Sequence, residues 1–287
     1  MTDIALQLDN VDKTYRGFAL RDVSFQLPRG HIMGLIGANG AGKTTILKLI
    51  MNLIRRDSGR ITVFGQDNLE HEAQIKRNIG FVYDVPRFYD EARLTHISQA
   101  VAAFYPDWDW ARFDSFTGEF GLPMRKKFRT LSTGMKTQLA LSLALSHDAD
   151  LILMDEPTSG LDPIVRRELL EKLRGILGDE RKSIVFSTHI TSDLERAADS
   201  ITCVHEGRIL FSSPRDEILA RWGVVKASEE VLRGPIKPLL RGVRIGADGC
   251  EALTDDIDAA RAALPPEAVI EKASLEDILV LIQTEGR

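Results

Sequence analysis

Alternating apolar and polar positions open the chain. Ile4-Ala5-Leu6-Gln7-Leu8 and Val23-Ser24-Phe25-Gln26-Leu27 repeat with the period of strands that keep one face in water, and they predict an N-terminal antiparallel β section. The apolar run His31–Ile36 predicts a buried strand, and the amphipathic run Ile46–Met51 a helix. Asp57-Ser58-Gly59 reads as a turn, Arg60–Gly65 as another alternating strand and 69–78 as a polar helix. Ile79–Tyr83 is an apolar strand that Asp84-Val85-Pro86 stops, since proline cannot donate to a ladder.

From about Tyr89 to Leu145 the spacing turns helical. Ile97, Val101 and Phe104 fall on one face of a helix that Pro106 ends, and Phe104, Trp108, Trp110, Phe113 and Phe116 predict an aromatic helical core. Leu151–Met154 and Ser183–Phe186 are short continuous apolar runs, the pattern of parallel strands buried on both faces, joined by a charged amphipathic helix over 164–177. Ile201–Val204 and Arg208–Phe211 flank Glu206-Gly207 as a hairpin. Beyond Pro214 the pattern predicts strand 223–227, helix 228–233, strands near 243–247 and 250–254, helix 255–264, strand 268–272 and helix 275–283. The first six of these form a β-α-β-β-α-β unit compatible with a ferredoxin-like fold. Ser274 and Asp277 make a capping box for the last helix. Domains are therefore expected at 1–215, with a helical insert over about 85–146, and at 216–287.

Composition narrows the class. With 287 residues, 44% apolar and 28% charged, the chain has the make-up of a soluble globular protein with a substantial core. A net charge of −5 argues against broad attraction to nucleic acid, and Arg125-Lys126-Lys127-Phe128-Arg129 reads as a solvated turn. No stretch approaches a membrane span and Met1-Thr2-Asp3 starts no targeting pattern, so a cytoplasmic location is expected. Cys203 and Cys250, far apart in apolar-leaning segments, are expected to be buried free thiols.

The chemistry starts at Gly37-Ala38-Asn39-Gly40-Ala41-Gly42-Lys43-Thr44, with Thr45 behind it. It fits G-x-x-x-x-G-K-[ST] between a strand and a helix, where backbone N–H groups cradle phosphates. Lys43 is placed to reach the β and γ phosphates, and the Thr44 hydroxyl to ligate Mg²⁺. Asp155-Glu156 ends the strand Leu151–Met154, suited to a magnesium carboxylate followed by a general base, although two exposed acids at a strand end fit the spacing equally. Tyr15 lies just upstream of the loop and fits either a purine stack or a surface tyrosine.

Four further segments accompany these: Leu131-Ser132-Thr133-Gly134-Met135, Pro157-Thr158-Ser159-Gly160-Leu161-Asp162-Pro163, Ser187-Thr188-His189 and Ile79–Asp84. Over roughly residues 1–215 the chain resembles the ATP-binding subunit of ABC transporters. The resemblance implies an α/β fold: a P-loop NTPase cassette with an N-terminal antiparallel section and a helical insert, here followed by a small α+β domain. It implies ATP and Mg²⁺ as cofactors. Gly37, Asn39, Gly40, Ala41, Gly42, Lys43, Thr44 and Thr45 would then bind the nucleotide, with Tyr15 on adenine. Asp155 becomes the second-shell or direct magnesium carboxylate, Glu156 the base and His189 the switch histidine at the γ-phosphate. Ser132 and Gly134, within the signature Leu131–Met135, would close over ATP bound by a second subunit, with Asp162 of the loop Ser159-Gly160-Leu161-Asp162 bridging across.

In the same resemblance, Asp84 stands where the family usually has glutamine, so a carboxylate that only accepts replaces an amide that also donates. It could still approach Mg²⁺. The insert would form the groove for a transmembrane permease subunit, and export of an unidentified substrate would be driven by a homodimer or heterodimer of cassettes on the inner face of the membrane. The wording of Phe81–Asp84 and Phe186–Glu195 is similar to bacterial exporter-type ATPases of the YtrB-like, multidrug and peptide-exporter subgroup. A soluble relative acting on nucleic acid or the ribosome is the rival reading; one cassette per chain and the negative net charge favour the transporter. A sensor that binds ATP without turnover is the weaker third, against which Glu156 and His189 argue.

Overall fold

The computed structural model describes residues 3–177, 182–246 and 249–282. Its contacts divide the chain into two compact units, Met1–Ser212 and Ser213–Arg287.

The first unit begins with β1 (Ile4–Tyr15) and β2 (Phe18–Pro28), an antiparallel pair in which Leu6 faces Leu27, Leu8 faces Phe25 and Tyr15 faces Phe18. The sequence predicts the first strand only to Leu8, because alternation breaks there. In the structure Asn10 adopts φ 45° and the register shifts between Leu8 and Lys13, so Leu8 and Val11, three residues apart, are both buried. Such an irregularity returns the apolar residues to the core face and lets the strand continue to Tyr15.

Next come β3 (Ile32–Ile36), α1 (Lys43–Ile50), β4 (Ser58–Val63), β5 (Gln66–Asp67), α2 (Glu72–Arg77) and β6 (Ile79–Val82). Strands β2-β1-β4-β5 form one sheet, and its apolar face packs with Met33, Leu35, Ile46, Leu47 and Ile50 in a shared core.

The insert follows as α3 (Leu94–Ala102), α4 (Trp110–Glu119), a short 3₁₀ turn at Phe128–Thr130 and α5 (Thr133–Leu145). It has its own core of Leu94, Ile97, Phe113, Leu122, Phe128, Leu131, Leu139 and Leu143. Two expectations are corrected here. Helix α3 stops at Ala102, so Phe104 lies beyond it and is 78% exposed; Pro106 disfavours helical geometry just ahead of it and cuts off the last turn. Trp110 is also exposed, so the aromatic core rests on Phe113, with Trp108 and Phe120 packed against it.

The chain returns to α/β with β7 (Leu151–Met154), α6 (Pro163–Ile176), β8 (Ser183–Thr188), α7 (Thr191–Ala197), β9 (Ser200–His205) and β10 (Arg208–Pro214). The sheet order is β10-β9-β3-β8-β7-β6, and the β9-β3, β3-β8, β8-β7 and β7-β6 pairs are parallel. Every residue of β3, β7 and β8 is buried, as continuous apolar runs predict. This order places the loop after β3 and the acids after β7 on either side of β8, all at the carboxyl edge of one sheet.

The second unit contains α8 (Arg215–Arg221), β11 (Gly223–Ala227), α9 (Glu229–Arg233), β12 (Leu240–Gly246), β13 (Gly249–Thr254), α10 (Ile257–Ala263), β14 (Val269–Lys272) and α11 (Leu275–Ile282). The order β12-β13-β11-β14, with antiparallel neighbours, is that of a ferredoxin-like unit. Residue 247 of the expected strand and residue 283 of the expected last helix lie outside the described residues. The capping box forms reciprocally: Ser274 N–H donates to Asp277 Oδ2 at 2.9 Å and Asp277 N–H to Ser274 Oγ at 3.1 Å.

Candidate functional site

The loop from Gly37 to Gly42 turns β3 into α1 within six residues, and two glycines make the turn possible. A Cβ on Gly37 would sit 2.3 Å from the Val204 carbonyl oxygen, while Gly42 has φ 119° and a Cβ there would meet Leu20 Cδ2 at 2.5 Å. Gly42 is also the N-cap of α1; no side chain caps the helix and no acid lies in its first turn. The first N–H groups are therefore free to receive an anion. Lys43 is only 6% exposed, and its Nζ donates to the carbonyls of Gly37 at 2.8 Å and Ala38 at 3.3 Å. Asn39 and Thr44 are exposed, Thr45 is half-buried and Ala41 is buried.

Across β8, Asp155 and Glu156 leave the end of β7. Asp155 is buried at 2% exposure, and its Oδ1 accepts a 2.6 Å hydrogen bond from Ser187 Oγ. Glu156 adopts φ 48°, and its N–H reaches Ser187 Oγ at 2.9 Å and the Ser187 carbonyl at 3.2 Å. Its carboxylate lies between two cations or potential cations: Oε1 is 3.5 Å from Lys43 Nζ and Oε2 is 2.8 Å from His189 Nδ1. The structure thus brings Lys43, Glu156 and His189 from three separated segments into one cluster.

The family segments beyond the strand edges have identifiable local roles. Ser132 caps α5 by accepting from Met135 N–H, and Asp162 caps α6 by accepting from Ile164 and Val165 N–H. Their loops touch within one chain: a Cβ on Gly134 would lie 3.3 Å from Leu161 Cδ2, and one on Gly160 would lie 3.7 Å from Thr133 Cγ2. Leu131 is buried in the insert core, which fixes the start of the segment, while Ser159 adds its N–H to the Glu156 carbonyl.

Tyr15 is 41% exposed at the end of β1, with Lys13 Nζ 5.6 Å from its ring centre. Its partner Phe18 reaches the glycine loop, since Phe18 Cζ would be 3.0 Å from a Cβ on Gly42. Asp84 is exposed, and its Oδ1 accepts from the Val85 N–H at 2.6 Å. That contact turns one carboxylate oxygen onto its own loop.

The Thr44 hydroxyl and the Asp155 carboxylate are hard oxygen donors, the set that suits Mg²⁺ shared with phosphates. Among the described residues no cluster of three His, Cys, Asp or Glu forms a metal cage. Cys203, paired with Ile36 beside the loop, has its thiol pushed up to about 12 by burial and stays protonated. Cys250 is half-buried.

Sequence reasoning missed a second layer. Asp193, 1% exposed on α7, accepts from Thr158 Oγ1 at 2.7 Å and from Arg166 Nε at 2.7 Å, and Arg166 also donates to Ser192 Oγ at 2.9 Å. This group ties the turn after Glu156 and helix α6 to the helix after His189. A buried aspartate on an otherwise amphipathic helix is its only trace in the sequence.

Residues 20–159 match the ABC transporter family model. The chain is 34% identical over 199 residues to the ABC transporter ATP-binding protein YtrB of Bacillus subtilis, covering 69% of this chain and 68% of that one. It is 33% identical over 220 residues to the ABC transporter ATP-binding protein NatA of Bacillus subtilis, covering 74% and 87%. Among solved structures, an ATP-binding subunit of an ABC transporter aligns with a TM-score of 0.68 at 28% identity, over 75% of this chain and 92% of the other. A dimeric ATP-binding cassette in a post-hydrolysis state shares the fold, with a TM-score of 0.65 at 22% identity over 73% of this chain and 98% of that one. With the glycine loop, the acid pair and the histidine meeting at one sheet edge in a chain so similar to these proteins, the protein belongs to the ABC transporter family, as an ATP-binding, ATP-hydrolysing subunit.

Proposed function

We propose that this subunit hydrolyses MgATP at the Lys43–Glu156–His189 cluster to drive export through a separate transmembrane partner at the inner face of the membrane. The observation that carries the reading is the Glu156 carboxylate lying 3.5 Å from Lys43 Nζ and 2.8 Å from His189 Nδ1, beneath a helix start open to phosphate. Lys43 now spends its donors on loop carbonyls and exchanges them for β and γ phosphate oxygens when ATP enters. Glu156 then orients a water and accepts its proton, while His189 holds the carboxylate and contacts the γ-phosphate. Mg²⁺ would be held by the Thr44 hydroxyl and Asp155 and would supply charge neutralisation at the phosphates. Tyr15 supports adenine by stacking, contributing about 1–3 kcal/mol.

A head-to-tail pair completes each site with Ser132 and Gly134 of the opposite copy, Asp162 bridging between the two. Both half-sites are present in one chain, so a homodimer suffices. One relative's name speaks of transport, the bacitracin transport ATP-binding protein BcrA of Bacillus licheniformis, 32% identical over 69% of this chain and 66% of its own length. Among the described residues no helix is long and apolar enough to cross a membrane. The test is purification of the chain from its native membranes, with identification of what accompanies it. An integral membrane protein in stoichiometric amount is expected. Ribosomal or nucleic-acid partners instead would overturn the transport reading.

A further inference from the structure

Ser187 occupies the position where the two acidic residues are joined. It lies on β8, the strand between the loop-bearing β3 and the acid-bearing β7, and its backbone pairs with Leu35 on one side. On the other side the register pairs Met154 with Phe186, so the next step along both strands sets Ser187 beside Asp155. Side chains alternate across a sheet, and adjacent residues of paired strands share a face. The hydroxyl therefore points at the carboxylate by register alone.

Both hydrogen-bonding capacities of that hydroxyl are in use. Its single proton goes to Asp155 Oδ1 at 2.6 Å, and its oxygen accepts the Glu156 N–H at 2.9 Å. The side chain is 0% exposed, so neither bond competes with bulk water. Glu156 is held at φ 48°, a left-handed geometry that strains a non-glycine residue and persists only where its surroundings enforce it. Ser187 supplies both acceptors of the Glu156 N–H, the hydroxyl and the carbonyl.

We propose that Ser187 is a positioning residue for hydrolysis, its hydroxyl locking the orientation of the Asp155 carboxylate and the backbone of Glu156 as one unit. Fixing Oδ1 sets the carboxylate plane and so would leave the other oxygen available to Mg²⁺ when it is bound. Fixing the Glu156 N–H aims its side chain at Lys43 and His189. This inference rests on the MgATP reading given above. Removing the hydroxyl is then expected to affect metal-dependent steps and leave metal-free nucleotide contacts intact, because its hydrogen bonds go to Asp155 and the Glu156 N–H.

The experiment compares the full chain with Ser187→Ala and Ser187→Thr. Calorimetric titration with ADP is run in EDTA and in Mg²⁺, beside ATPase assays at varied free Mg²⁺ and a thermal melt. For Ser187→Ala, metal-free ADP affinity within about 2-fold of the parent is expected, with Mg²⁺ half-saturation raised and kcat lowered by about 10-fold each, the usual loss when an outer-shell partner is removed. Ser187→Thr, which restores the hydroxyl, is expected to recover most of both. An unchanged Mg²⁺ dependence in Ser187→Ala overturns the inference, as does a loss that appears equally in EDTA and follows the melting temperature. If the parent chain itself fails to bind nucleotide with Mg²⁺, the MgATP reading falls first, and Ser187 with it.

Discussion

Replacing Arg166 with methionine isolates the buried tie behind the site. Asp193 is 1% exposed and lies beside Arg166 Nε at 2.7 Å, with Thr158 Oγ1 on its other oxygen. Arg166→Met leaves that carboxylate with a single neutral donor. Breaking one half of a fully buried pair costs about 3–5 kcal/mol; because Arg166 is itself 27% exposed, water reaches the gap and the cost falls below that range, to roughly 2–3 kcal/mol. For a unit of this size each kcal/mol lowers Tm by about 2–4 °C, giving a fall of roughly 4–12 °C in a calorimetric melt. The double variant Arg166→Met, Asp193→Asn removes both charges while an amide oxygen still accepts from Thr158, so it should regain most of the loss. Its ATPase rate should stay below the parent's, because α6 and α7 are then joined only by packing. A single variant within about 1 °C of the parent, or a double variant no more stable than the single, would refute the reasoning.

Three other perturbations are expected to give definite results. His147 stacks on Tyr105 with ring centres 3.8 Å apart, and burial lowers its pKa to about 4. Folded-state neutrality is then costless above pH 6.5 and penalised progressively as pH falls toward 4, so denaturant melts should show about 2 kcal/mol lost by pH 5 that His147→Phe does not lose. A slope that survives in the variant would place the titrating group elsewhere. Gly42→Ala must hold φ 119° with its Cβ 2.5 Å from Leu20, and nucleotide binding measured by calorimetry should drop at least about 10-fold; unchanged affinity would show that the loop repacks freely. Asp84→Asn keeps the acceptor that the Val85 N–H uses, so Mg-ATP affinity should remain within about 2-fold while partner-coupled turnover changes; collapse of affinity would make Asp84 a direct metal ligand.

The parallel strands were legible because burial on both faces leaves no polar phase to confuse: Leu151–Met154 can be little else. The second unit was legible for a different reason, its strands and helices being short and bounded by Gly, Pro and a capping box at Ser274. Sequence periodicity failed at Asn10, where an irregularity moves the apolar phase by one residue, and at Phe104, where proline shortens the helix. Of the site, the glycine loop and the acid pair are contiguous motifs. The contact of Lys43 and His189 with Glu156 joins three segments and emerges only from sheet order. Ser187 and Asp193 belong to the same class, since their meaning lies in neighbours 27 to 35 residues away.

The hydrolytic role of Glu156 is tested most directly by Glu156→Gln in the full chain, followed by size-exclusion chromatography with light scattering in MgATP. The amide keeps the shape of the side chain but cannot take a proton from water, so turnover should fall at least about 100-fold. ATP should then accumulate in a closed pair at twice the monomer mass, and Lys43→Ala in the same background should abolish the pair. A Glu156→Gln chain that hydrolyses ATP at the parent rate, or stays monomeric with ATP bound, would contradict both the base and the two-sided site.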